Sequence, residues 1–222
     1  AEDGIRDSVA SRGLGDVYKR QCGVRRVVFA SSSSIYGASA TSELKSVAPI
    51  SPYGVSKAAC EQLADVYRER GLDIVAMRYF TVYGPRQRPD MAMNRLFRAA
   101  LPGTFRFPMR GNGSQRREFT FVKDIVGATI CAGNSKLQEV AEPFDVGGGV
   151  SASLGEVMSL VEEITGRSLR VDHEPSAAGD PLITVASTEF TEKTLNWKPT
   201  TGLRDGLLEH YDSLRESVAS ST

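Results

Sequence analysis

Ser51-Pro-Tyr-Gly-Val-Ser-Lys57 decides how the chain is read, because it sets a tyrosine and a lysine four residues apart at the start of a predicted helix. That spacing puts Tyr53 and Lys57 on one helical face. Ser51 is a good N-cap, and Pro52 suits the first helical position, where its missing N–H costs nothing. Gly71 stops the segment about five turns later. The pattern predicts a helix from Pro52 to Arg70. Its apolar residues form two stripes: Val55, Ala59, Leu63 and Val66 lie almost opposite the face carrying Tyr53, Lys57, Cys60 and Ala64. Two such faces require two partners, the sheet with its ligand for one, a neighbouring helix or a second subunit for the other. Chance alone supplies roughly 0.2 Tyr-x-x-x-Lys pairs in a chain of this composition, so the neighbouring segments must carry the assignment.

On the N-terminal side, Val24-Arg-Arg-Val-Val-Phe-Ala30 is a β-branched run followed by Ser31-Ser-Ser-Ser34. It predicts a buried strand that delivers four hydroxyls at its C-terminal end, where open α/β sheets bind ligands. A solvated serine loop is the other reading. Ile35-Tyr-Gly37 then turns the chain. On the C-terminal side, Leu72-Asp-Ile-Val-Ala-Met-Arg-Tyr-Phe80 is a second buried strand, so the helix between the two makes a right-handed βαβ unit. The fold class is therefore α/β with a parallel sheet.

Further on, Arg86-Gln-Arg-Pro-Asp90 is a basic loop before a helix from Met91 to Leu101, its arginines either gripping an anion or facing solvent. Gly111-Asn-Gly113 is turn chemistry. Arg116-Arg117 leads into a short strand, Glu118-Phe-Thr-Phe-Val122, with a helix from Asp124 to Leu137. Phe144-Asp-Val-Gly-Gly-Gly149 reads as a strand ending in a tight glycine turn rather than a phosphate cradle, since no Lys-Ser/Thr follows. Ser153-Leu-Gly-Glu156 has capping-box spacing for a helix running to Gly166. A short strand (Leu169 to Asp172), a Gly179-Asp-Pro181 turn, a short helix ending near Trp197 and a last helix from Leu203 to Leu214 complete the chain. His173 and His210 are isolated and read as surface or packing residues.

At 222 residues, 41% apolar and 24% charged, the composition is that of a soluble globular protein. The 27 basic and 27 acidic residues cancel, which argues against nucleic acid or an anionic membrane as a partner. Cys22, Cys60 and Cys131 are odd in number and lack paired metal-ligand spacing, pointing to a reduced, cytoplasmic chain without a metal site. No apolar run reaches the length of a membrane span. Residues 1–21 mix charges, glycines and serines without a period; they read as a non-native or disordered lead-in and are set aside from the fold.

Four segments in this order, Phe29-Ala-Ser-Ser-Ser-Ser-Ile-Tyr-Gly37, Ser51 to Lys57, Arg78-Tyr-Phe-Thr-Val-Tyr-Gly-Pro85 and Arg117-Glu-Phe-Thr-Phe-Val-Lys-Asp124, resemble the extended short-chain dehydrogenase/reductases, specifically NAD-dependent nucleotide-sugar epimerases. Arg86-Gln-Arg-Pro-Asp-Met91 is similar to UDP-glucuronate 4-epimerases and a related set of UDP-glucose 4-epimerases. The resemblance implies the C-terminal half of a Rossmann-type parallel sheet, with residues 22–83 and 119–150 as the remnant of the NAD-binding domain. Residues 84–118 and 151–222 would form a smaller α/β domain for the nucleotide sugar. It implies that Tyr53 is the catalytic acid/base, Lys57 its activator and a ligand of the nicotinamide ribose, and Ser32 the hydroxyl that positions the substrate's 4-OH, with Ser33 beside it. Tyr79 would contact nicotinamide, Thr81 the sugar-diphosphate, Arg117 the pyrophosphate, Asp180 the nucleoside ribose and Arg88 a sugar carboxylate.

The chemistry suits these roles. Holding a free tyrosine ionised at neutral pH costs about 4 kcal/mol. One nearby cation typically recovers about 1–3 pKa units, and the positive nicotinamide ring would supply the rest. The phenolate takes the hydroxyl proton while NAD takes the C4 hydride, and a 4-keto sugar turns over before the hydride returns. Related 4,6-dehydratases carry an acidic residue near Ser33 and Ser34, and its absence favours epimerisation. The resemblance also leaves departures. The glycine-rich first half of the cofactor fold is missing, so the chain is expected to be an N-terminally truncated part of an active, homodimeric parent and inactive by itself. Ala177 stands where an arginine usually grips pyrophosphate. A sister 4-ketosugar reductase or dehydratase, or a non-catalytic binding module of the same fold, are the competing readings.

Overall fold

The computed structural model describes residues 23–39, 46–135, 142–175 and 183–219. In chain order the elements are β1 (Arg26–Ser32), a 3-10 segment (Ser33–Ser39), α1 (Pro52–Glu69), β2 (Asp73–Tyr79), β3 (Val82–Tyr83), α2 (Ala92–Ala100), β4 (Phe107–Arg110), β5 (Arg116–Glu118), β6 (Thr120–Phe121), α3 (Val122–Asn134), β7 (Phe144–Val146), β8 (Ser151–Ser153), α4 (Leu154–Thr165), β9 (Val171–Glu174), β10 (Ile183–Thr184), α5 (Glu189–Leu195) and α6 (Leu203–Ala219).

The βαβ unit forms as its local signals dictate. Gly54 N–H donates to Ser51 Oγ at 3.0 Å, Pro52 opens α1, and the chain leaves the helix through Gly71 at φ 85°. Strands β1 and β2 are parallel, with Ser31 opposite Arg78 and Ser32 opposite Tyr79. Strand β7 joins the other side of β2, also parallel, with Arg78 opposite Asp145. Side chains alternate across this sheet. Val27 and Ile74 pack with Ala64 of α1, whereas Val75, Met77, Phe144 and Val146 pack with Ile125, Ala128 and Ala132 of α3. Each fully buried aliphatic side chain of this kind contributes about 1.5–3 kcal/mol.

A second core gathers Met93, Leu96 and Phe97 of α2, Phe107 and Met109 of β4, Val157 and Val161 of α4 and Leu207 of α6. Around it β5 pairs with β8 antiparallel and with β10 parallel, and β4 pairs with β9. The two cores meet at the short β3–β6 pair, where Val82 packs against the first core and Tyr83 and Phe121 belong to the second. Asp124 of α3 ties the seam by accepting from the N–H groups of Thr200 and Thr201, both at 3.1 Å.

Differences from expectation have local causes. Strand β1 continues through Ser32, because pairing with β2 carries it past Ala30; only Ser33 and Ser34 lie beyond it. The segment predicted as one strand from Glu118 to Val122 is divided among the end of β5, β6 and the start of α3. The last helix runs to Ala219, since Arg215 to Ala219 contains no breaker. The sheet-facing residues of α1 are Gly54, Lys57, Ala58, Glu61 and Ala64, which leaves Tyr53 outside the buried face. The opposite stripe, Val55, Ala59, Leu63 and Val66, is exposed. In the glycine turn, a Cβ on Gly148 would come within 2.0 Å of the Phe119 carbonyl oxygen and one on Gly147 within 2.1 Å of Glu118 Oε1. Close packing is therefore what those glycines serve. Residues 1–21 and the Gly179 to Pro181 turn lie outside the described residues.

Candidate active site

The first two turns of α1 lie against the end of β1. Lys57, 7% exposed, donates from Nζ to the Ala30 carbonyl at 2.9 Å, immediately before Ser31 and Ser32. Its Nζ lies 5.6 Å from the centroid of the Tyr53 ring, which is 54% exposed at the mouth of the site. Gly54 makes the approach possible: a Cβ there would sit 2.5 Å from the Ser34 carbonyl oxygen. Ser32 is buried, and its Oγ accepts from the Ser34 N–H at 3.2 Å. Phenol, ammonium and hydroxyl are thus gathered at the C-terminal end of a parallel strand.

The other expected residues are placed less uniformly. Ser33 and Thr81 are half-buried, the latter just past β2 with its carbonyl accepting from Thr120 N–H at 3.1 Å. Tyr79 is on the α3 face: its hydroxyl shares a 2.8 Å hydrogen bond with Thr129 Oγ1, and burial pushes its phenol up from the usual value. Arg117 is half-buried in β5, with one N–H donating to the Arg116 carbonyl at 2.9 Å. Arg88 is exposed and closes a two-point fork on Asp90, Nε to Oδ1 at 3.1 Å and NH2 to Oδ2 at 2.7 Å. That hydrogen bonding holds the Asp90 carboxyl below the usual range. Asp180 and Ala177 lie outside the described residues. Among the described residues there is no His/Cys/Asp/Glu group able to hold a metal ion, and no helix is long and apolar enough to cross a membrane.

The family model for the NAD dependent epimerase/dehydratase family matches residues 11–147, more than half of the chain and reaching into the 1–21 stretch. The chain belongs to this family. Its relatives include the uncharacterized UDP-glucose epimerase YtcB of Bacillus subtilis (strain 168), 41% identical over 85% of the chain and 60% of the relative. A UDP-glucuronate 4-epimerase of Thermodesulfobacterium geofontis is 32% identical over 88% of the chain and 61% of its own length. The chain thus spans about three-fifths of the length of these curated relatives. Among solved structures, MoeE5 in complex with UDP-glucuronic acid and NAD superposes with a TM-score of 0.83 at 38% identity, covering 91% of this chain and 69% of that one. The UDP-glucuronic acid 4-epimerase of Bacillus cereus, with UDP-glucuronic acid and NAD, gives 0.79 at 36% identity, covering 86% and 62%.

Behind the serine–tyrosine–lysine group, the chain carries a buried polar assembly that the motif reading passes over. Glu61 of α1, Arg78 of β2, Ser31 of β1 and Tyr36 of the 3-10 segment are all buried and hydrogen-bonded to one another. Deleting one partner of a buried pair such as Arg78–Glu61 costs about 3–5 kcal/mol. Two signals in the sequence mark its members, though not their pairing: Arg78 is a charge directly after the apolar run Ile74 to Met77, and Glu61 follows Lys57 at the spacing of one helical turn. Glu118 of β5 is another buried carboxylate, raised above its usual range by burial, and it accepts from the N–H groups of Gly149 at 2.9 Å and Ala186 at 2.6 Å.

Proposed function

We propose that the whole protein interconverts UDP-sugars epimeric at C4, either UDP-glucuronate or UDP-glucose, through a transient 4-keto sugar, with NAD as cofactor. The observation that carries this reading is Lys57 anchored on the Ala30 carbonyl beside Ser32, with the exposed Tyr53 ring one turn earlier. Similarity to UDP-glucose and UDP-glucuronate epimerases supports it.

The residues present fit the nicotinamide end of the cofactor. A buried ammonium and an exposed phenol stand at the C-terminal end of a parallel strand, where open α/β sheets receive nucleotides. Tyr53 and Lys57 would hold that end, with Tyr79 contributing from the neighbouring strand. When bound, NAD supplies a reversible acceptor for the C4 hydrogen as hydride. Ser32, helped by Ser33, orients the 4-hydroxyl. Tyr53 takes its proton and later returns it to the keto oxygen. Lys57 places a positive charge where negative charge on the phenol oxygen needs support. Thr81, Arg117 and Asp180 would hold the diphosphate and nucleoside, and Arg88 the sugar carboxylate. On this reading residues 22–83 and 119–150 form the cofactor side and residues 84–118 and 151–222 the sugar side. The protein would work in the cytoplasm, and as a homodimer that covers the Val55–Leu63 stripe.

The test is turnover of UDP-glucose and UDP-glucuronate carrying deuterium at C4 by the full-length protein. The expected product is the 4-epimer with deuterium retained at C4, formed by wild type and abolished in Tyr53→Phe. A product lighter by one water would identify a dehydratase. Equal turnover by wild type and Tyr53→Phe would remove Tyr53 from the chemistry.

A further inference from the structure

Glu61 lies one turn beyond Lys57, and the two side chains grip consecutive residues of β1. Lys57 Nζ donates to the Ala30 carbonyl at 2.9 Å, and Ser31 Oγ donates to Glu61 Oε1. Arg78 holds Glu61 from β2, its Nε donating to Oε1 at 3.0 Å and its NH2 to Oε2 at 2.6 Å. The same guanidinium donates from NH1 to the Tyr36 hydroxyl at 2.7 Å, and Tyr36 donates to the Asp145 carboxylate at 2.8 Å. One polar chain thus links α1, the ends of all three strands of the sheet and the 3-10 segment that follows Ser32.

Stability alone does not explain this arrangement. Apart from Lys57 on the Ala30 carbonyl and Arg68 Nε on the Ile74 carbonyl at 2.8 Å, α1 meets the sheet through apolar side chains, Ala64 packing with Val27 and Ile74. A buried acid–base pair is seldom better for stability than well-packed hydrophobic residues in its place. Hydrogen bonds supply direction, which apolar contacts do not. Alanine and valine surfaces tolerate a small slide of the helix along the strand. The bonds from Ser31 and Arg78 to Glu61 do not, because each has a preferred length and angle.

We propose that Glu61 is a positioning residue for the reaction: it fixes the height of α1 against the end of β1, and with it the placement of Tyr53 and Lys57 over Ser32. The proposal rests on the reading of those three residues as the catalytic group. Arg78 aims Glu61 through its two hydrogen bonds, and Ser31 is the residue of β1 that Glu61 holds.

The test compares Ser31→Ala, Glu61→Gln, the double variant and Tyr53→Phe in the full-length protein, with kcat, KM and thermal unfolding measured on each. Ser31→Ala removes only the hydrogen bond from Ser31 to Glu61, and the change is small enough to leave the fold intact. It is expected to lower kcat by about 10-fold with KM within about 2-fold, in line with the cost of sub-ångström misplacement. Glu61→Gln is expected to lower kcat by about 100-fold, and adding Ser31→Ala to it should cost little more, since both act through one contact. Wild-type kcat in folded Ser31→Ala and Glu61→Gln, losses confined to KM, or fully additive losses would each overturn the proposal. If Glu61→Gln does not fold, the kcat of Ser31→Ala decides alone. Tyr53→Phe separates the two levels. Undiminished turnover there overturns the catalytic assignment itself, whereas an inactive Tyr53→Phe beside normal Ser31→Ala and Glu61→Gln overturns only the positioning role.

Discussion

Two glycines in helices show how the same substitution has opposite outcomes according to what a Cβ meets. At Gly54 it would come 2.5 Å from the Ser34 carbonyl oxygen and 3.0 Å from Pro49 Cβ, and backbone does not swing aside as a long side chain does. Alanine is favoured over glycine within helices by about 1 kcal/mol, too little to offset such a clash. Gly54→Ala should therefore lift the first turn of α1 off the serine segment, lowering both the melting temperature and kcat, the latter by about 10- to 100-fold. At Gly133, near the end of α3, the nearest atom is Val28 Cγ2 at 3.9 Å, an ordinary contact. Gly133→Ala should raise stability by up to about 1 kcal/mol in urea unfolding and leave kcat alone. Arg88 poses a different question, because its fork is already closed on the Asp90 carboxylate. An exposed pair adds little to stability, so a sugar carboxylate can replace Asp90 at low cost. Arg88→Ala should raise KM for UDP-glucuronate more than for UDP-glucose, and Asp90→Asn should lower it for UDP-glucuronate alone. Equal changes for the two sugars would detach Arg88 from carboxylate recognition.

Helix α6 buries His210 completely against Phe97, ring centroids 5.3 Å apart, and neither ring nitrogen has a hydrogen-bond partner. Burial pushes its pKa down to about 4 from 6.5. The unfolded chain protonates this histidine below about pH 6.5 and the folded chain only near pH 4, so between those values the unfolded state holds more protons. The contribution is intact above pH 6.5, is lost as pH falls toward 4, and amounts to about 3 kcal/mol at most. His210→Leu should flatten that part of the stability profile; identical slopes for the two proteins in urea unfolding from pH 7 to pH 4.5 would refute it. His210 also marks what sequence can and cannot convey about an element. Helix α1 is legible from Ser51, Pro52 and Gly71, and α4 from its capping box, because caps and breakers act within a few residues. The division of Ser31 to Ser34 between strand and 3-10 segment is not legible, since pairing with β2 decides it. Nor are the pairing of Glu61 with Arg78 and the burial of His210, which depend on elements meeting across the fold. Tyr53, Lys57 and Ser32 are readable as a group through their motifs, whereas the side on which Tyr79 packs follows from the strand register.

At the scale of the molecule, among the described residues β1 stands at one edge of the three-stranded sheet, and apolar side chains are exposed on the helices of both faces: Val55, Leu63 and Val66 on α1, Val126 and Ile130 on α3. A parallel edge that no described strand pairs, flanked by exposed apolar side chains, favours association. The charge balance does not oppose it, because 27 basic and 27 acidic residues leave no net repulsion between copies near neutral pH. The α1 stripe suits pairing with a second copy better than the strand edge does, since it presents a helix-length row of aliphatic side chains ready to interdigitate, whereas β1 offers only seven residues of backbone. In sedimentation velocity the chain should therefore show a coefficient that falls on dilution, and Val55→Glu/Leu63→Glu should abolish that dependence without altering the far-UV circular dichroism. Association surviving in the double variant but lost on placing proline at Val28 would assign the contact to the strand edge instead. Because α1 also carries Tyr53 and Lys57 on its other side, pairing through the stripe would brace the helix that Glu61 and Ser31 hold against β1. Turnover per site by the full-length protein should then fall together with the dimer fraction in Val55→Glu/Leu63→Glu; a monomeric double variant with wild-type kcat would show that the helix needs no bracing beyond its ties to the sheet.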